Sequence, residues 1–282
     1  IRIAWSGLHR GEEPPVTGKN GSGMIFFCGC PLHCRYCQNY QISRNGWDGV
    51  ALSEEELARL MLELQAFGAA SINLVTGTHY IPSLVTAIEN AKKQGLTLPV
   101  VWNSSGYESV RALRLIDPLI DLYLIDVKTL DPRVASRFCG LESYASVIGP
   151  VMSFLKRRHR ETNLEDSLKG VLVRHLVFPG CLDATRDFLL WYADNLKGYS
   201  LLSLMVQFVP PEENPGFGSL SGEEYNELLD LVDSLGIDGF VQEQDENEIL
   251  WIPDFKKDNP FPESFADPLP RFLELKRKSS DC

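Results

Sequence analysis

A parallel α/β architecture, a full or partial (β/α) barrel, follows from two features of the sequence. Strand, turn and helix signals recur in that order six or seven times, which calls for a parallel sheet with right-handed crossovers. The polar residues that interrupt the pattern fall at or just after the apolar runs: Cys30–Cys37, Thr76–His79, Asn103–Ser105, Asp126 with Lys128, Arg174 with His175, and Gln207. In such sheets ligands gather at the C-terminal ends of the strands, so this placement points to one shared pocket. A doubly wound sheet is the alternative arrangement of the same elements.

Each element has its own signal. Met24–Phe27 is a short apolar strand leading into a cysteine-rich loop. Ser53–Gly68 is predicted helical, with a capping box of Ser53 and Glu56 and a terminal Gly. Ser71–Val75 is the next strand. Pro82–Gly95 is a helix with Pro in its first turn and Gly at its end. Leu98–Trp102 is a strand, with a helix beginning near Glu108. Ile120–Asp126 is another strand, followed by a helical region over Tyr144–Arg158. Gly170–Val177 (strand), Thr185–Leu196 (helix) and Leu201–Val209 (strand) continue the order. Ser221–Gly236 is a helix with a second capping box, Ser221 and Glu224, and Gly239–Gln242 closes the series as a strand. The tail, 243–282, is rich in Pro, Asp and Phe and reads as an irregular wrap over the barrel.

Composition narrows the function classes. A net charge of −11 argues against a general nucleic-acid binder, which needs a basic field. No apolar run approaches the ~20 residues that span a bilayer. The first dozen residues are too polar for a signal peptide. The expectation is a cytoplasmic protein with neither a nucleic-acid nor a membrane partner. The chain starts at Ile1 without Met, which leaves room for an upstream segment.

Seven cysteines are present, at 28, 30, 34, 37, 139, 181 and 282, and four are crowded into ten residues. In a reducing compartment that crowding favours a metal or catalytic role over disulfides. Cys30, Cys34 and Cys37 have the spacing C-x3-C-x2-C. Three thiolates from one tight loop suit a [4Fe–4S] cluster with one iron left unligated. A zinc site built from Cys28, Cys30, Cys34 and Cys37, or completed by His33, is the rival from another class, a non-catalytic scaffold. A thioredoxin-like pair at Cys34 and Cys37 does not explain a third thiol. Cys28, two residues ahead of the triad, reads as a small strand-end residue.

The triad with Tyr36 before its last cysteine resembles the signature of the radical S-adenosylmethionine (SAM) superfamily. The segments "GSGMIFFCGCPLHCRYCQNYQIS", "NLVTGTHYIP", "YLIDVK", "RHLVFPG" and "SLMVQFVP" resemble, more narrowly, the PflX-like branch related to pyruvate formate-lyase activating enzyme. The likeness runs from about Gly18 into the Pro-rich tail. It implies a barrel of the radical SAM type over 18–242 with an extension over 243–282. It further implies a [4Fe–4S] cluster held by Cys30, Cys34 and Cys37, and reductive cleavage of SAM to methionine and a 5′-deoxyadenosyl radical that abstracts a hydrogen atom. The branch suggests a glycine of a glycyl-radical enzyme as the hydrogen donor; another protein, a peptide or a small molecule is the alternative. Cys28 stands where the branch has Ser, and the cysteine-containing leader of many relatives is not in this sequence, as expected if it is truncated ahead of Ile1.

The resemblance also assigns a SAM pocket. Tyr36 belongs to the signature. Thr76, Gly77 and Thr78 occupy the position of a Gly-Gly-Glu-Pro segment that holds the SAM amino group, yet carry no carboxylate. A backbone carbonyl or the Thr78 hydroxyl would take over that role; the plainer reading is a strand-to-helix turn. Asn103 and Ser104 end a strand where relatives face SAM. Lys128 would pair with the SAM carboxylate while Asp126 would orient it or a ribose hydroxyl; the plainer reading is an Asp–Lys surface pair at a strand end. Arg174, a charge inside an apolar strand, needs a polar pocket or an acidic neighbour such as Asp126. His175 should point the other way, toward the helices. Gln207 lies where relatives place a polar residue near the methionine part of SAM. Cys139 is the free thiol to test for a catalytic role, against the plainer reading of a small buried residue. "KRRHR", Lys156 to Arg160, reads first as a solvated helix end whose cations offset the dipole. As a docking patch it would suit a low-potential electron donor such as a flavodoxin or ferredoxin.

Overall fold

Ser53 and Ser221 begin their helices as the sequence predicts. Each hydroxyl accepts the backbone N–H three residues on, and Glu56 and Glu224 reach back to the cap nitrogens. A cap of this kind contributes about 1 kcal/mol. The computed structural model describes residues 1–44, 49–209, 219–243 and 252–280.

The strands are β1 (Arg2–His9), β2 (Ser22–Phe27), β3 (Val50–Ala51), β4 (Ile72–Val75), β5 (Val100–Ser104), β6 (Leu122–Asp126), β7 (Gly170–Leu176), β8 (Leu201–Met205), β9 (Gly239–Val241) and β10 (Ala266–Pro268). They form one sheet of order β10-β1-β2-β4-β5-β6-β7-β8-β9, with β3 added beside β1. From β2 to β9 every pairing is parallel. The order follows the sequence without reversal, so there is no topological switch point and the doubly wound alternative falls away. Among the described residues β9 and β10 do not pair, so the barrel is partial and the sheet is open.

The predicted helices appear as Glu54–Ala66, Ile81–Lys93, Val110–Ile116, Tyr144–Arg158, Leu182–Asn195 and Gly222–Leu235. The sixth predicted strand ends at Met205, earlier than expected. Two regions differ more. Arg2–His9 is an interior strand, antiparallel to both β2 and β10. Its sequence, RIAWSGLH, hides this, because Ser6 and His9 are buried along with the apolar residues and no alternation survives. The tail is irregular only in part. Ala266–Pro268 joins the sheet and Pro270–Ser280 is a helix. Pro at the first helical position followed by Leu, Glu, Lys and Arg is good helix chemistry, masked when the tail is read by overall composition.

One face of the parallel sheet turns inward. Val101, Leu122, Leu124 and Leu172 cluster there with Val16, carried in by a short helix, Pro14–Thr17. This apolar plug forms the floor beneath the polar residues at the C-terminal ends of the strands. The other face carries Trp102, Tyr123, Ile125 and Val173 against the helices.

Candidate functional site

The loop after β2 carries the cysteines. It leaves the strand through Gly29, whose φ of +85° suits glycine and whose missing Cβ makes room for the His79 ring, 3.2 Å away. His79 Nε2–H donates to the Cys28 carbonyl at 2.7 Å and ties this loop to the turn after β4. The Cys28 thiol turns elsewhere, against the backbone at Gly49. Cys34 is buried; Cys30 and Cys37 are half-buried. Cys30 Sγ accepts the Leu32 amide at 3.4 Å, and Cys37 Sγ lies 3.4 Å from Ser43 Oγ. Burial pushes the Cys30 thiol up to about 12 and raises Cys37 as well. Cys34 goes the other way. A hydrogen bond with Cys139 outweighs burial and, with the charge of Lys128, holds its thiol below the ordinary range.

Tyr36 anchors the loop from inside. Its ring meets Phe178 at 5.0 Å and Phe208 at 5.5 Å, and Phe138 stacks on Phe178 at 4.2 Å. Such ring contacts contribute roughly 0.5–1.5 kcal/mol each beyond burial. Lys128 Nζ lies 5.5 Å over the Tyr36 ring.

Asp126 and Lys128 share a side of the strand end, as alternation requires, and form an ion pair at 3.4 Å. Burial opposes the charge on Asp126, but Arg174 and Lys128 outweigh it and hold the carboxyl low. Arg174 is saturated. Its Nε donates to Asp126 at 2.8 Å, one terminal nitrogen to Glu12 at 2.8 Å and the other to Asn103 Oδ1 at 2.6 Å. Glu12 enters the barrel just before the plug helix, and burial pushes its carboxyl up to about 7 against the pull of Arg174. Tyr144 fastens the rim. Its buried hydroxyl accepts the Lys128 amide at 3.0 Å and lies within donating distance of the Asp126 carbonyl, at 2.8 Å, and of the Ser105 carbonyl, at 2.9 Å.

Profile comparison decides the family: residues 24–180, more than half of the chain, match the radical SAM superfamily. The chain belongs to the radical SAM superfamily. A curated relative is protein MJ0674 of Methanocaldococcus jannaschii, 27% identical over 241 residues that span 82% of this chain and 67% of MJ0674. Among solved structures the fold is similar to methylornithine synthase PylB, with TM-score 0.57, 17% identity and coverage of 90% of this chain and 81% of PylB. It is also similar to Streptococcus suis SuiB bound to S-adenosylmethionine, with TM-score 0.55, 11% identity and coverage of 82% of this chain. The chain spans about half the length of SuiB, 53%. The radical SAM family uses a [4Fe–4S] cluster and S-adenosylmethionine, and these are the cofactors of the chain.

The donor set fits the cluster. Among the described residues no three His, Cys, Asp or Glu side chains converge as a single metal ion requires. A cuboidal cluster instead takes each thiolate on a different iron, which suits three thiols spread over one loop. With Cys28 facing Gly49, the four-cysteine zinc alternative loses its fourth ligand.

For a radical SAM pocket, the remaining sequence-predicted residues divide. Ser104 is corrected by the pleat: Asn103 points inward to Arg174, so Ser104 takes the opposite face, where its hydroxyl accepts the Gly106 amide at 3.1 Å. Thr76 has φ +62°, the only positive φ at a non-Gly residue among those described, and its amide donates to the Asn103 carbonyl. A left-handed β-branched residue is strained, a feature that clusters at ligand sites. A Cβ on Gly77 would meet the end of the Leu84 side chain at 2.6 Å, so a larger residue there requires Leu84 to shift. The Thr78 hydroxyl donates to Glu108 at 2.9 Å, which directs it to the helix layer with Trp102 Nε1. The Gln207 amide is occupied by Gln242 and by the Glu243 carbonyl. His175 points away from the pocket as expected: its ring bridges the Val127 carbonyl and Thr185. "KRRHR" lies beside Ile120, Asp121 and Gly170, at the start of β6 and β7, the end of the barrel opposite the cysteine loop.

Sequence reasoning missed Glu12, Tyr144 and Glu108. Glu12 had one signal, since an arginine inside an apolar strand demands acidic partners, but nothing in local spacing identifies which acid arrives from 162 residues away. Glu108 and Tyr144 carry no sequence signal beyond a polar atom near a strand end.

Proposed function

We propose that this radical SAM enzyme is of the activating type, in the PflX-like branch, and abstracts a hydrogen atom from a glycine of a partner polypeptide. The observation that carries the radical SAM part of this reading is the cysteine loop itself, three thiols near a lysine at the mouth of the barrel. The cluster and SAM, when bound, supply one-electron cleavage of the sulfonium C–S bond. The chain's own residues hold, orient and exclude water. Cys30, Cys34 and Cys37 are the three ligands. Lys128 has one protein carboxylate, at 3.4 Å, and retains donors for the SAM carboxylate. The strained Thr76 backbone, with Gly77 after it, serves the SAM amino group, and the Tyr36 cage keeps the loop dry. Arg174, Asn103 and Glu12 form the layer beneath. Gln207, held by Gln242, shapes the wall.

We take residues 18–242 as the barrel unit that carries the chemistry and 243–282 as an extension that braces it. The glycine assignment rests on the branch motifs. SuiB, of similar fold, has been crystallised with a precursor peptide, which agrees with a polypeptide reaching such a barrel mouth. A low-potential donor such as a flavodoxin or ferredoxin would approach the cysteine-loop end, where Arg35 and Arg137 are exposed. The "KRRHR" run is remote from it, and Arg158 and His159 are engaged with Asp117. Among the described residues no single helix is long and apolar enough to cross a membrane, and we place the enzyme in the cytoplasm.

The test is anaerobic. Reduced, reconstituted protein with SAM should release 5′-deoxyadenosine, and with the right glycyl-radical partner a stable organic radical should appear by EPR. Release of 5′-deoxyadenosine with a small molecule or peptide, and no radical on any candidate glycyl-radical protein, would overturn the activating assignment.

A further inference from the structure

Cys139 sits on an unusual piece of backbone. Ala135–Cys139 is a π-helical turn, a rare form that recurs at functional sites, and it ends at Gly140 with φ +71°. The turn is joined to the cysteine loop at two places. Arg35 N–H donates to the Phe138 carbonyl at 2.9 Å, and Gly140 packs so that a Cβ there would come within 3.5 Å of the His33 carbonyl. The loop residues on either side of Cys34 therefore lie against the residues on either side of Cys139. These flanking contacts set the two side chains against each other, within reach of a thiol–thiolate hydrogen bond. Cys139 is 1% exposed, so water does not compete.

We propose that Cys139 is a positioning residue that tunes the cluster: its S–H donates a hydrogen bond to the sulfur of Cys34 and raises the reduction potential of the bound [4Fe–4S] group. The inference rests on the reading above, in which Cys34 is a ligand. The direction of the bond follows from that role. A ligating Cys34 is a thiolate and can only accept, so the proton belongs to Cys139. The sign follows as well. A donor to a ligand sulfur stabilises the more negative, reduced cluster over the oxidised one, and hydrogen bonds to the sulfurs are among the protein's means of setting such potentials. No bond is made or broken at Cys139, so this is not the catalytic thiol that its sequence position left open. The charges facing the pair are Lys128 and Asp126, both on β6 or just beyond it.

The experiment compares wild type, Cys139→Ala and Cys139→Ser after anaerobic reconstitution, by iron content, circular dichroism and an EPR-monitored redox titration. All three should bind about four irons per chain, the number a [4Fe–4S] site requires. Cys139→Ala should titrate at a more negative potential than wild type, and Cys139→Ser, which keeps a donor, should recover most of the shift. An unchanged potential in Cys139→Ala overturns the inference while leaving the radical SAM reading intact. Loss of iron in folded Cys139→Ala also overturns it, because the residue would then be holding the loop or the metal instead of tuning it. Wild type that binds no iron–sulfur cluster overturns both together.

Discussion

Two buried cations, Arg174 and Lys128, stand at neighbouring strand ends and share one carboxylate, Asp126. Arg174 has every direction of its guanidinium answered, by Asp126, Glu12 and Asn103. Among the described residues Lys128 has one ion-pair contact, Asp126 at 3.4 Å, and otherwise faces the Tyr36 ring and the thiol loop. A buried charge is costly unless paired and hydrogen-bonded. Arg174 meets that condition with protein groups alone. Lys128 meets it in part, through Asp126, and under the proposed function an anionic ligand would supply the rest. The difference separates a charge satisfied by the protein, Arg174, for which the sequence offers Asp126 as one of two partners, from the one proposed to meet a ligand, Lys128.

The contrast is sharpest at Arg174. Arg174→Gln strands Glu12 and Asp126 together, and removal of one partner of a buried network costs about 3–5 kcal/mol. The denaturation midpoint of the apo protein should fall accordingly. Lys128→Met should lower that midpoint less, because Asp126 keeps Arg174. An equal loss of stability in both variants would erase the distinction.

His175 tests the backbone between the two cations. Its ring is buried and held between the Val127 carbonyl and Thr185, and burial pushes its pKa down to about 4 from 6.5. A depressed folded value means the unfolded chain takes the proton first as pH falls. Stability from this group is therefore complete above about pH 6.5 and is lost on the way to about pH 4. At 1.36 kcal/mol per unit the loss reaches about 3 kcal/mol. His175→Gln should flatten that part of the stability–pH profile; a profile as steep as wild type would contradict the assignment.

SAM binding sharpens the comparison from the ligand side. A hydrogen bond to a charged group contributes about 1.5–3 kcal/mol, so Lys128→Met should weaken SAM binding to the reconstituted protein about 10- to 100-fold. Calorimetry under anaerobic conditions measures it, and unchanged affinity would remove Lys128 from the pocket. The smallest effect lies far from both cations: Ser221→Ala should cost about 1 kcal/mol of stability and leave SAM binding unaltered.

What the sequence made legible follows from how local each signal is. Capping boxes, helix-terminal glycines and the cysteine spacing are read within a few residues, and Ser53, Ser221 and the C-x3-C-x2-C triad were readable for that reason. Side-chain alternation also placed Asp126 with Lys128 and turned His175 away. The same alternation separates Asn103 from Ser104, which cannot both face the pocket. Glu12 was hidden because its meaning depends on a contact across the barrel. Strand β1 was hidden because both of its faces are buried, which abolishes periodicity. The tail helix was hidden by averaging its composition with the Pro- and Phe-rich stretch before it.

The central claim is that Cys30, Cys34 and Cys37 hold a [4Fe–4S] cluster whose remaining iron is left for SAM. Its most direct test is the EPR spectrum of the anaerobically reconstituted, dithionite-reduced protein before and after SAM is added. About four irons per chain are expected, with a cluster signal whose g-values move when SAM binds. A colourless protein with one zinc per chain, or a cluster signal indifferent to saturating SAM, would contradict it.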